Sequence, residues 1–396
     1  MARYLFGDVL LDTDRYLFER AGTSVAVQPQ VFDVLSYLVE HRERVVPKTE
    51  LLDSVWGDRF VGESALTSRI KSARRLIGDD GAAQAMIRTI HGRGYRWVAD
   101  ITTDDRNSPA APPVETQQHI RFCRTSDGAR LGYATIGDGP ALVRAAHWIT
   151  HLDYDFRSPV WRHWLDGLSR GRTLVRYDER GCGLSDHDPD DVSLETFVHD
   201  LETVVDDLAL ERFPLMGLSQ GGPVAVEYAR RHPERVSRLV LVNAYVRGRN
   251  HRATSDDDRR QNELQREMIR MGWGLDEPSF RLYFSSTFIP DAPPELWSDF
   301  AELLRRTTSA ENALRIFDAC ADIDVTESAA QLDVPTLILH GRDEVRIPFD
   351  EAREYAALIR GSRLVPLDTR NHLLRPDEPA WSHLLSEIDA FLAGPA

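Results

Sequence analysis

The stretch FPLMGLSQGG, residues 213–222, constrains the fold of this chain more than any other feature. An apolar run ends in Gly217-Leu-Ser219, and two glycines follow before the amphipathic segment PVAVEYARRHPERV. A glycine-flanked serine between a strand and a helix predicts a sharp turn that exposes the serine hydroxyl. Glycines are expected there because a side chain would clash where strand and helix approach each other. The helix would begin just behind Ser219, so that its N-terminal amides face a developing oxyanion.

A serine hydroxyl needs a base before it can act as a nucleophile, and two candidate partners follow in the chain. PTLILHGRDEVRIP places Asp343 just after one apolar run, and RLVPLDTRNHLL places His372 just after the next. A single loop aspartate is usually a turn former, and a single histidine is usually structural. An acid and then a histidine at successive strand ends favour both as partners of Ser219.

Residues 120–395 alternate strand-like runs with helical ones. IRFCRT and LGYATIG predict a hairpin, and later strands are predicted at ALVRAA, TLVRYD, FPLMGL, LVLVNA, TLILHG and RLVPLD. Continuous apolar strands separated by amphipathic segments are typical of a parallel sheet covered on both faces. Residues 250–325 break this alternation, because they are helical in pattern and rich in Arg, Phe and Trp. We expect them to form an inserted helical lid.

These motifs together resemble the α/β-hydrolase superfamily over residues 120–395. Besides GLSQGG, the segment YDERGCGLSD matches a turn that follows an earlier strand in that superfamily, through Asp178, Arg180, Gly181, Gly183 and Ser185. Within the superfamily, this portion resembles the branch of ester hydrolases and cofactor-free haloperoxidases, and hydrolase modules fused to regulators or nucleotide cyclases. The resemblance implies an α/β-hydrolase fold.

The resemblance also implies a catalytic triad. Ser219 would be the nucleophile, His372 the general base, and Asp343 the residue that orients His372. Glu344 is the adjacent alternative acid, but the alignment of the motif favours Asp343.

The predicted oxyanion loop departs from the usual pattern of the superfamily, which reads His-Gly after the third strand. Here AAHWITHL places Trp148 after His147. Because backbone amides supply the donors, Trp148 and Gln220 remain the predicted oxyanion-hole residues. A tryptophan at the mouth would narrow the pocket and favour a flat apolar ligand. Turnover would then be slow, or the pocket would serve chiefly for binding.

The first hundred residues have a different pattern. YLFGDVLLD and the VAV of residues 25–27 predict short strands. QVFDVLSYLVEHRERVV, KTELLDSVWG and GESALTSRIKSARRLIG predict successive helices. MIRTIHGRGYRWVAD predicts a hairpin that turns at Gly-Arg-Gly. Strands, helices and a closing hairpin in this order predict a winged helix-turn-helix of the α+β class.

The third predicted helix has one apolar face and one polar face. Leu66, Ile70, Ala73 and Ile77 cluster together when each residue advances by about 100°. The opposite face is small, hydroxylic and basic, and could enter the major groove of DNA, although a merely solvated face is the alternative. With the hairpin-turn arginine included, the predicted DNA-binding residues are Ser64, Thr67, Ser68, Lys71, Ser72, Arg74, Arg75 and Arg93.

Residues 3–99 resemble the DNA-binding domain of OmpR-type response regulators. The resemblance rests on LLDSVWGD, ALTSRIKSARRLIGD and IRTIHGRGYRW, the last of which is a wing ending in a Gly-Tyr-aromatic stretch. It implies that the partner is double-stranded DNA. We expect no phospho-acceptor receiver before this module, so phosphorylation is not the expected input.

Length and charge agree with a division into domains. At 396 residues the chain exceeds the size at which a single core stops growing, about 250–300 residues. Residues 1–100 contain equal numbers of basic and acidic residues, so the net charge of −15 resides in the remainder. Residues 101–118 are rich in Pro, Thr, Asp and Gln and predict a flexible linker. We predict a winged helix over 1–100 and a hydrolase domain over 119–396.

Composition bounds the remaining possibilities. No run approaches the roughly 18 apolar residues of a membrane span, and the acidic start is unlike a signal peptide. Cys123, Cys182 and Cys320 are too few and scattered for a disulfide framework or a zinc site. We therefore expect a cytoplasmic protein with no cofactor, no metal and no membrane partner.

The favoured function is a homodimeric one-component transcription regulator. Its hydrolase domain would sense, with or without hydrolysing it, a small ester or lactone-like ligand. The alternative is a serine esterase whose winged helix mediates only protein contacts. A third possibility is a hydrolase fold that only scaffolds a dimer, which an intact triad disfavours.

Overall fold

The protein is described from a computed structural model. The structure describes residues 3–13, 17–20, 23–25, 27–56, 63–99, 101–103, 117–273, 275 and 279–394. The chain divides into two compact units, Met1–Val114 and Glu115–Ala396. The division falls inside the predicted linker, most of which lies outside the described residues.

The N-terminal unit is built from short strands, helices and a closing hairpin. Its elements are β1 (Arg3–Phe6), β2 (Val9–Asp12), β3 (Leu17–Arg20), β4 (Thr23–Ser24), α1 (Pro29–Glu40), β5 (Val46–Pro47), α2 (Lys48–Trp56), α3 (Glu63–Leu76), β6 (Ile87–Ile90), β7 (Gly94–Trp97) and β8 (Thr102–Thr103). One sheet has the order β4-β3-β2-β1-β8, and a second has the order β5-β7-β6. This is the predicted winged helix-turn-helix, with β6 and β7 forming the wing.

The core of this unit forms where the apolar face of α3 packs on α1 and the wing. Leu66, Ile70, Ala73 and Ile77 are each at most 2% exposed, so the predicted apolar face is the buried face. Phe6 packs edge-on against Trp97, with ring centroids 4.7 Å apart. The aromatic end of the wing therefore anchors it to the first sheet.

Several details of this unit differ from the predictions. The helix predicted over QVFDVLSYLVEHRERVV ends at Glu40, and Val46 belongs to the unpredicted strand β5. The strand predicted at residues 25–27 is wrong: β4 ends at Ser24, and Val25 and Val27 pack against the core outside any strand. Ala26 lies outside the described residues. The short strands β3 and β8 were not predicted, and β8 takes the first residues of the predicted linker into the sheet.

The C-terminal unit is an α/β structure around one large sheet. Its elements are β9 (Gln118–Arg124), β10 (Arg130–Ile136), β11 (Ala141–Arg144), α4 (Leu152–Arg157), α5 (Arg162–Leu168), β12 (Thr173–Tyr177), α6 (Leu194–Asp207), β13 (Phe213–Leu218), α7 (Gly221–Arg231), β14 (Val236–Val242), α8 (Arg249–Arg252), α9 (Asp256–Gly272), α10 (Ser279–Phe288), α11 (Pro294–Thr307), α12 (Ala310–Ala321), α13 (Thr326–Ala330), β15 (Thr336–Gly341), α14 (Phe349–Leu358), β16 (Arg363–Leu367) and α15 (Pro379–Ala393).

The sheet order explains how distant residues come together. The order is β16-β15-β14-β13-β11-β12-β10-β9, and every pairing from β12 to β16 is parallel. The predicted hairpin is the antiparallel pair β9 and β10. Because the carboxyl ends of parallel strands share one edge, the residues that follow β11, β13, β15 and β16 meet there.

Helices α8 to α12 lie between β14 and β15, and we call them the helical insertion. Its buried aromatic side chains include Trp273, Phe284 and Phe288, which belong to the same core as the sheet. The predicted helical character of residues 250–325 is present, and a role as a lid remains a prediction. No helix in the described part of the chain is long and apolar enough to cross a membrane.

Candidate active site and DNA-binding surface

Ser219 lies on the turn between β13 and α7 in a strained backbone conformation. Its φ is 54°, in the left-handed region that residues other than glycine seldom adopt. Its N–H donates to the carbonyl of Val242 at 3.0 Å, and its own carbonyl accepts from the N–H of Gly222 at 3.0 Å. These bonds to the adjacent strand and the start of α7 hold the turn, and strain of this kind is frequent at functional sites.

The glycines around Ser219 have the predicted steric role. A Cβ on Gly217 would lie 2.5 Å from the carbonyl oxygen of Gly221, and one on Gly222 would lie 2.3 Å from Cβ of Ala244. Real Cβ atoms do not approach other heavy atoms this closely, so a side chain at either position would push strand and helix apart. The turn therefore requires the glycine pattern seen in the sequence.

His372 follows β16 and is fixed from two sides. Its N–H donates to the carbonyl of Phe288 at 2.8 Å, and its carbonyl accepts from Nδ2 of Asn243 at 2.7 Å. The side chain is 1% exposed, and Nε2 has no hydrogen-bond partner within the described residues. Ser219 and His372 line the same small cavity, so the imidazole and the serine lie at the same edge of the sheet.

The carboxylate beside His372 belongs to Glu344, and the prediction of Asp343 is wrong. Nδ1 of His372 lies 3.3 Å from Oε1 of Glu344, which is 7% exposed, whereas Asp343 is exposed to solvent. The turn after β15 directs Glu344 inward, because its carboxylate accepts the N–H groups of Arg346 at 2.5 Å and Ile347 at 2.7 Å. The motif alignment favours Asp343 because the sequence does not show which of two adjacent side chains the turn directs inward.

The environment of Glu344 keeps it ionised. Burial acts to raise the pKa of Glu344, but the charge of His372 and its hydrogen bonding act in the opposite direction. The backbone N–H of Arg346 adds to this, and the net effect lowers the pKa of Glu344. A buried carboxylate beside Nδ1 fixes the orientation of the imidazole and stabilises its protonated form.

Two backbone amides near Ser219 are available as donors. Trp148 follows β11, and Gln220 follows Ser219 at the start of α7. Within the described part of the chain neither N–H donates a hydrogen bond. The side chain of Gln220 donates to Glu179, which keeps this residue in place. Free amides at the edge of the sheet can stabilise negative charge that develops on a carbonyl oxygen.

The YDERGCGLSD segment supports the site without lining it. Oδ2 of Asp178 accepts the N–H groups of Leu152 at 3.0 Å and Leu184 at 2.8 Å. Oγ of Ser185 donates to the carbonyl of Asp178 at 2.7 Å. Gly183 has a φ of 56°, and a Cβ there would lie 2.2 Å from Oδ2 of Asp178. The motif therefore ties together the loops that follow β11 and β12.

A larger cavity opens above Ser219. Its volume is about 250 Å³, and its walls come from the Ser219 turn, the helical insertion and the loop after β15. The ring of Trp148 stacks on that of Phe288 at 5.6 Å and on that of Phe284 at 5.7 Å. Trp148 therefore packs against the insertion on one side of the cavity.

The predicted DNA-binding residues lie on α3 and the wing. Ser64, Thr67, Ser68, Lys71, Arg75 and Arg93 are exposed, and Ser72 is half-buried. The three basic side chains in this exposed set form no ion pair with any described residue. Exposed bases and hydroxyls on one helix face can contact phosphates and base edges.

Arg74 has a different role from the predicted one. Its Nη2 donates to the carbonyl of Ile87 at 2.7 Å and to Oγ1 of Thr89 at 2.9 Å. These bonds join α3 to β6 and use the guanidinium inside the domain. The assignment of Arg74 to the DNA-contacting face is therefore corrected to a structural one, because its position at the flank of the helix faces the wing.

Comparison with protein families identifies both halves of the chain. Residues 156–379 match the family described as alpha/beta hydrolase fold, and residues 22–97 match the family described as transcriptional regulatory protein, C terminal. The hydrolase match covers more than half of the chain, and the chain belongs to the α/β-hydrolase family. It carries a DNA-binding domain of the regulator type in front of the hydrolase domain.

Similar proteins support the same division. The AB hydrolase superfamily protein YisY of Bacillus subtilis is 28% identical over 255 residues, which are 63% of this chain and 91% of YisY. The structure of a hydrolase from Pseudomonas aeruginosa is 26% identical with a TM-score of 0.58, covering 70% of this chain and 99% of its own. An esterase from Exiguobacterium antarcticum shares the fold at 24% identity, with a TM-score of 0.60 and coverage of 70% and 100%.

Several residues at the site were not predicted from the sequence. Asn243 holds the His372 loop, and Phe288 carries the carbonyl that accepts the N–H of His372. Arg249, Arg252 and Arg346 line the larger cavity. The sequence does indicate Asn243, because it is a polar residue directly after an apolar strand. The positions of Phe288 and the three arginines depend on how the insertion packs against the sheet, which the sequence does not show.

Proposed function

We propose that this protein is a one-component transcription regulator whose hydrolase domain senses, and also hydrolyses, a small ester or lactone-like ligand, so that occupancy of the Ser219 cavity changes binding to DNA. The observation that carries the proposal is the strained Ser219 beside a cavity that it shares with His372, which is paired with buried Glu344. This site lies in the same chain as a DNA-binding domain of the regulator type.

In the proposed reaction, Ser219 is the nucleophile and His372 is the general base. Nε2 of His372 takes the proton of Oγ as Oγ attacks the ligand carbonyl, and Glu344 stabilises the imidazolium that forms. The backbone amides of Trp148 and Gln220 donate to the oxyanion. His372 then gives the proton to the leaving oxygen, and water attacks the acyl-enzyme by the same steps.

The helical insertion is proposed to act as a lid over this site. Support comes from the cavity walls, because Asn262 of α9 and Thr287 of α10 line the same cavity as Ser219. A ligand on Ser219 would therefore contact the insertion. We further propose that the protein binds DNA as a homodimer, since paired half-sites raise the affinity of two tethered modules.

The proposed function is tested on purified protein with two assays. Parent protein should be labelled by a fluorophosphonate probe and should turn over 4-nitrophenyl esters, and Ser219→Ala should do neither. Both proteins should shift DNA that flanks their own gene in a gel assay. Turnover without any DNA binding would favour the alternative, an esterase with an accessory winged helix. Labelling that persists in Ser219→Ala would exclude Ser219 as the nucleophile.

A further inference from the structure

The cavity above Ser219 is lined by a cluster of cationic side chains. Arg249 and Arg252 belong to α8, and Arg346 lies on the loop after β15, two residues beyond Glu344. All three line the 250 Å³ cavity together with Ser219. We call Arg249, Arg252 and Arg346 the arginine cluster. None of them is required by the proposed hydrolysis of a neutral ester.

The arginine cluster has no ion-pair partner within the described residues. Among the described residues no carboxylate oxygen lies within 4.0 Å of any of the three guanidinium groups. Neighbouring arginines differ in this respect, because Arg266 pairs with Asp318 at 2.9 Å and Arg247 lies 3.7 Å from Glu351. The lack of a carboxylate partner among the described residues therefore distinguishes the cluster from its neighbouring arginines.

Arg249 and Arg252 are held by neutral groups. Nη1 of Arg249 donates to the carbonyl of Phe317 at 3.0 Å, and the guanidinium carbon lies 3.3 Å from the centroid of the Phe317 ring. Nη1 of Arg252 donates to the carbonyl of Arg247 at 3.1 Å, and its guanidinium lies over the ring of Tyr245. Aromatic faces and carbonyls orient these cations without neutralising them.

Arg346 is held in the same way and contacts a ring that also packs against His372. Nη1 donates to Oγ1 of Thr287 at 2.8 Å, and the guanidinium carbon lies 4.1 Å from the centroid of the Phe288 ring. The Phe288 ring centroid is 5.4 Å from that of His372. The guanidinium of Arg346 and the imidazole of His372 therefore pack against the same ring, which limits the distance between them.

The three cations also affect one another. Burial, followed by the positive charges of Arg249 and Arg252, lowers the pKa of Arg346 to about 10, while the charge of Glu344 acts in the opposite direction. Burial likewise lowers the pKa of Arg249 to about 10, and the charge of Arg252 contributes. At neutral pH all three remain charged, so an anion inside the cavity would relieve both the desolvation and the mutual repulsion.

Nearby carboxylates are engaged elsewhere. The carboxylate of Glu344 faces His372 and accepts two backbone N–H groups. Oε2 of Glu351 accepts the N–H groups of Val246 at 2.8 Å and Arg247 at 2.9 Å. Neither can leave to neutralise the cluster without breaking these bonds. No described carboxylate is therefore free to pair with the cluster, and an anion bound in the cavity could do so.

We propose that the natural ligand of this site carries a carboxylate in addition to the ester or lactone bond, and that the arginine cluster binds that carboxylate. The proposal rests on the proposed hydrolase function for the position of the scissile bond. Arg346 sets an upper limit on the spacing, because its guanidinium and the His372 ring both pack against the Phe288 ring. A carboxylate a few carbon atoms from the carbonyl fits this spacing. The flat apolar ligand that Trp148 alone predicts would leave the positive charges of the arginine cluster without a partner.

The turnover test compares two esters that differ in one charged group. Mono-4-nitrophenyl glutarate ends in a carboxylate where 4-nitrophenyl valerate ends in a methyl group. We expect parent protein to have the higher kcat/KM for the glutarate. Arg346→Met should lower the ratio of the two kcat/KM values on the order of tenfold to a hundredfold, because a hydrogen-bonded charge is removed. Arg353→Met, at an exposed arginine of α14 paired with Asp350, is the control and should leave the ratio unchanged.

The binding test separates this proposal from the proposed catalysis. In the Ser219→Ala protein, 4-phenylbutyrate should raise the Tm, and 4-phenylbutanamide should raise it much less. Adding Arg346→Met should remove the difference, and Arg252→Met is the second variant if Arg346→Met does not fold.

If parent protein turns over neither ester but the acid still stabilises through Arg346, the proposed hydrolysis fails and the anion site stands. If acid and amide shift the Tm equally, or neither shifts it, the anion site is overturned. A glutarate-to-valerate ratio that does not respond to Arg346→Met or Arg252→Met would also overturn it.

Discussion

Oε1 of Glu344 lies 3.3 Å from Nδ1 of His372, although the neighbouring acid, Asp343, is exposed to solvent. This relationship distinguishes Glu344 from Asp343, the acid that the motif alignment favours. Glu344, His372 and Ser219 follow the carboxyl ends of β15, β16 and β13, which are parallel strands of one sheet.

The first prediction concerns this pair of acids. Glu344→Gln should lower kcat for 4-nitrophenyl esters by roughly a thousandfold or more, because the imidazolium loses its buried counter-charge. Asp343→Asn, the matched control, should stay within about twofold, because exposed charges contribute little. Steady-state kinetics of both variants decide the assignment. A large loss in Asp343→Asn with an active Glu344→Gln would reverse it.

The second prediction concerns Asn243, which we assign as a positioning residue. Nδ2 donates to the carbonyl of His372 at 2.7 Å, and Oδ1 accepts the N–H of Gly341 at 2.9 Å. Asn243→Asp keeps the shape and tolerates the φ of 43°, but it replaces the donor with an oxygen. We expect the free energy of unfolding to fall by about 1–3 kcal/mol and kcat to fall more than KM rises. An equal loss in stability with unchanged kcat would limit Asn243 to a structural role.

The third prediction concerns DNA. Lys71→Ala combined with Arg75→Ala should weaken binding to the operator strongly and reduce the salt dependence by about one unit for each phosphate that the protein no longer neutralises. A charge-matched control removes two exposed arginines of the hydrolase domain, Arg353→Ala with Arg360→Ala. Affinities measured over a series of salt concentrations distinguish the two. Parent-like binding by the first double variant would mean that α3 is not the recognition helix.

The fourth prediction concerns pH and the turn between α3 and the wing. Oδ1 of Asp79 accepts the N–H groups of Asp80 at 2.9 Å and Ala85 at 2.8 Å, and Oδ2 accepts those of Met86 at 3.1 Å and Ile87 at 2.9 Å. Burial opposes ionisation, but these bonds outweigh it and lower the pKa of Asp79 below its ordinary value of 3.8.

Because the folded pKa is the lower one, the stabilisation is present above pH 3.8 and disappears as the pH falls through the folded value. Asp79→Asn should therefore weaken amide-exchange protection of residues 85–87 in full-length protein at about pH 5, by about 1–3 kcal/mol. The difference from parent protein should shrink as the pH falls below 3.8 and through the lower pKa of the folded state. A difference that does not depend on pH would show that the carboxylate charge is not involved.

The sequence predicts those features that depend on local pattern. The glycines around Ser219 predict its turn, and the apolar period of Leu66, Ile70 and Ala73 predicts the buried face of α3. Local pattern failed where a side chain's direction is set by distant contacts. Arg74 has the charge expected of a DNA contact, but its guanidinium donates a hydrogen bond to the carbonyl of Ile87 in the wing.

The acid of the site is a similar case. Asp343 and Glu344 are adjacent and chemically alike, and only the inward-facing N–H groups of Arg346 and Ile347 select Glu344. The arginine cluster could not be predicted from the sequence for the same reason. Arg249 and Arg346 are far apart in the sequence, and they line one cavity because the insertion lies beside the loop after β15. Contacts of this kind depend on tertiary structure, which the hydrophobic periodicity of the sequence does not predict.

The central proposal is that occupancy of the Ser219 cavity changes binding to DNA, and a ligand can do so only if it prefers one of two states. The most direct measurement compares operator affinity before and after covalent modification of Ser219 with a fluorophosphonate, which fills the site without requiring knowledge of the natural ligand. We predict that modification changes the Kd of parent protein for its operator by at least about fivefold, the lower end of typical coupling between sites. The reagent-treated Ser219→Ala protein should keep the Kd of the untreated variant. Stoichiometric modification of Ser219 that leaves the Kd unchanged would contradict the account.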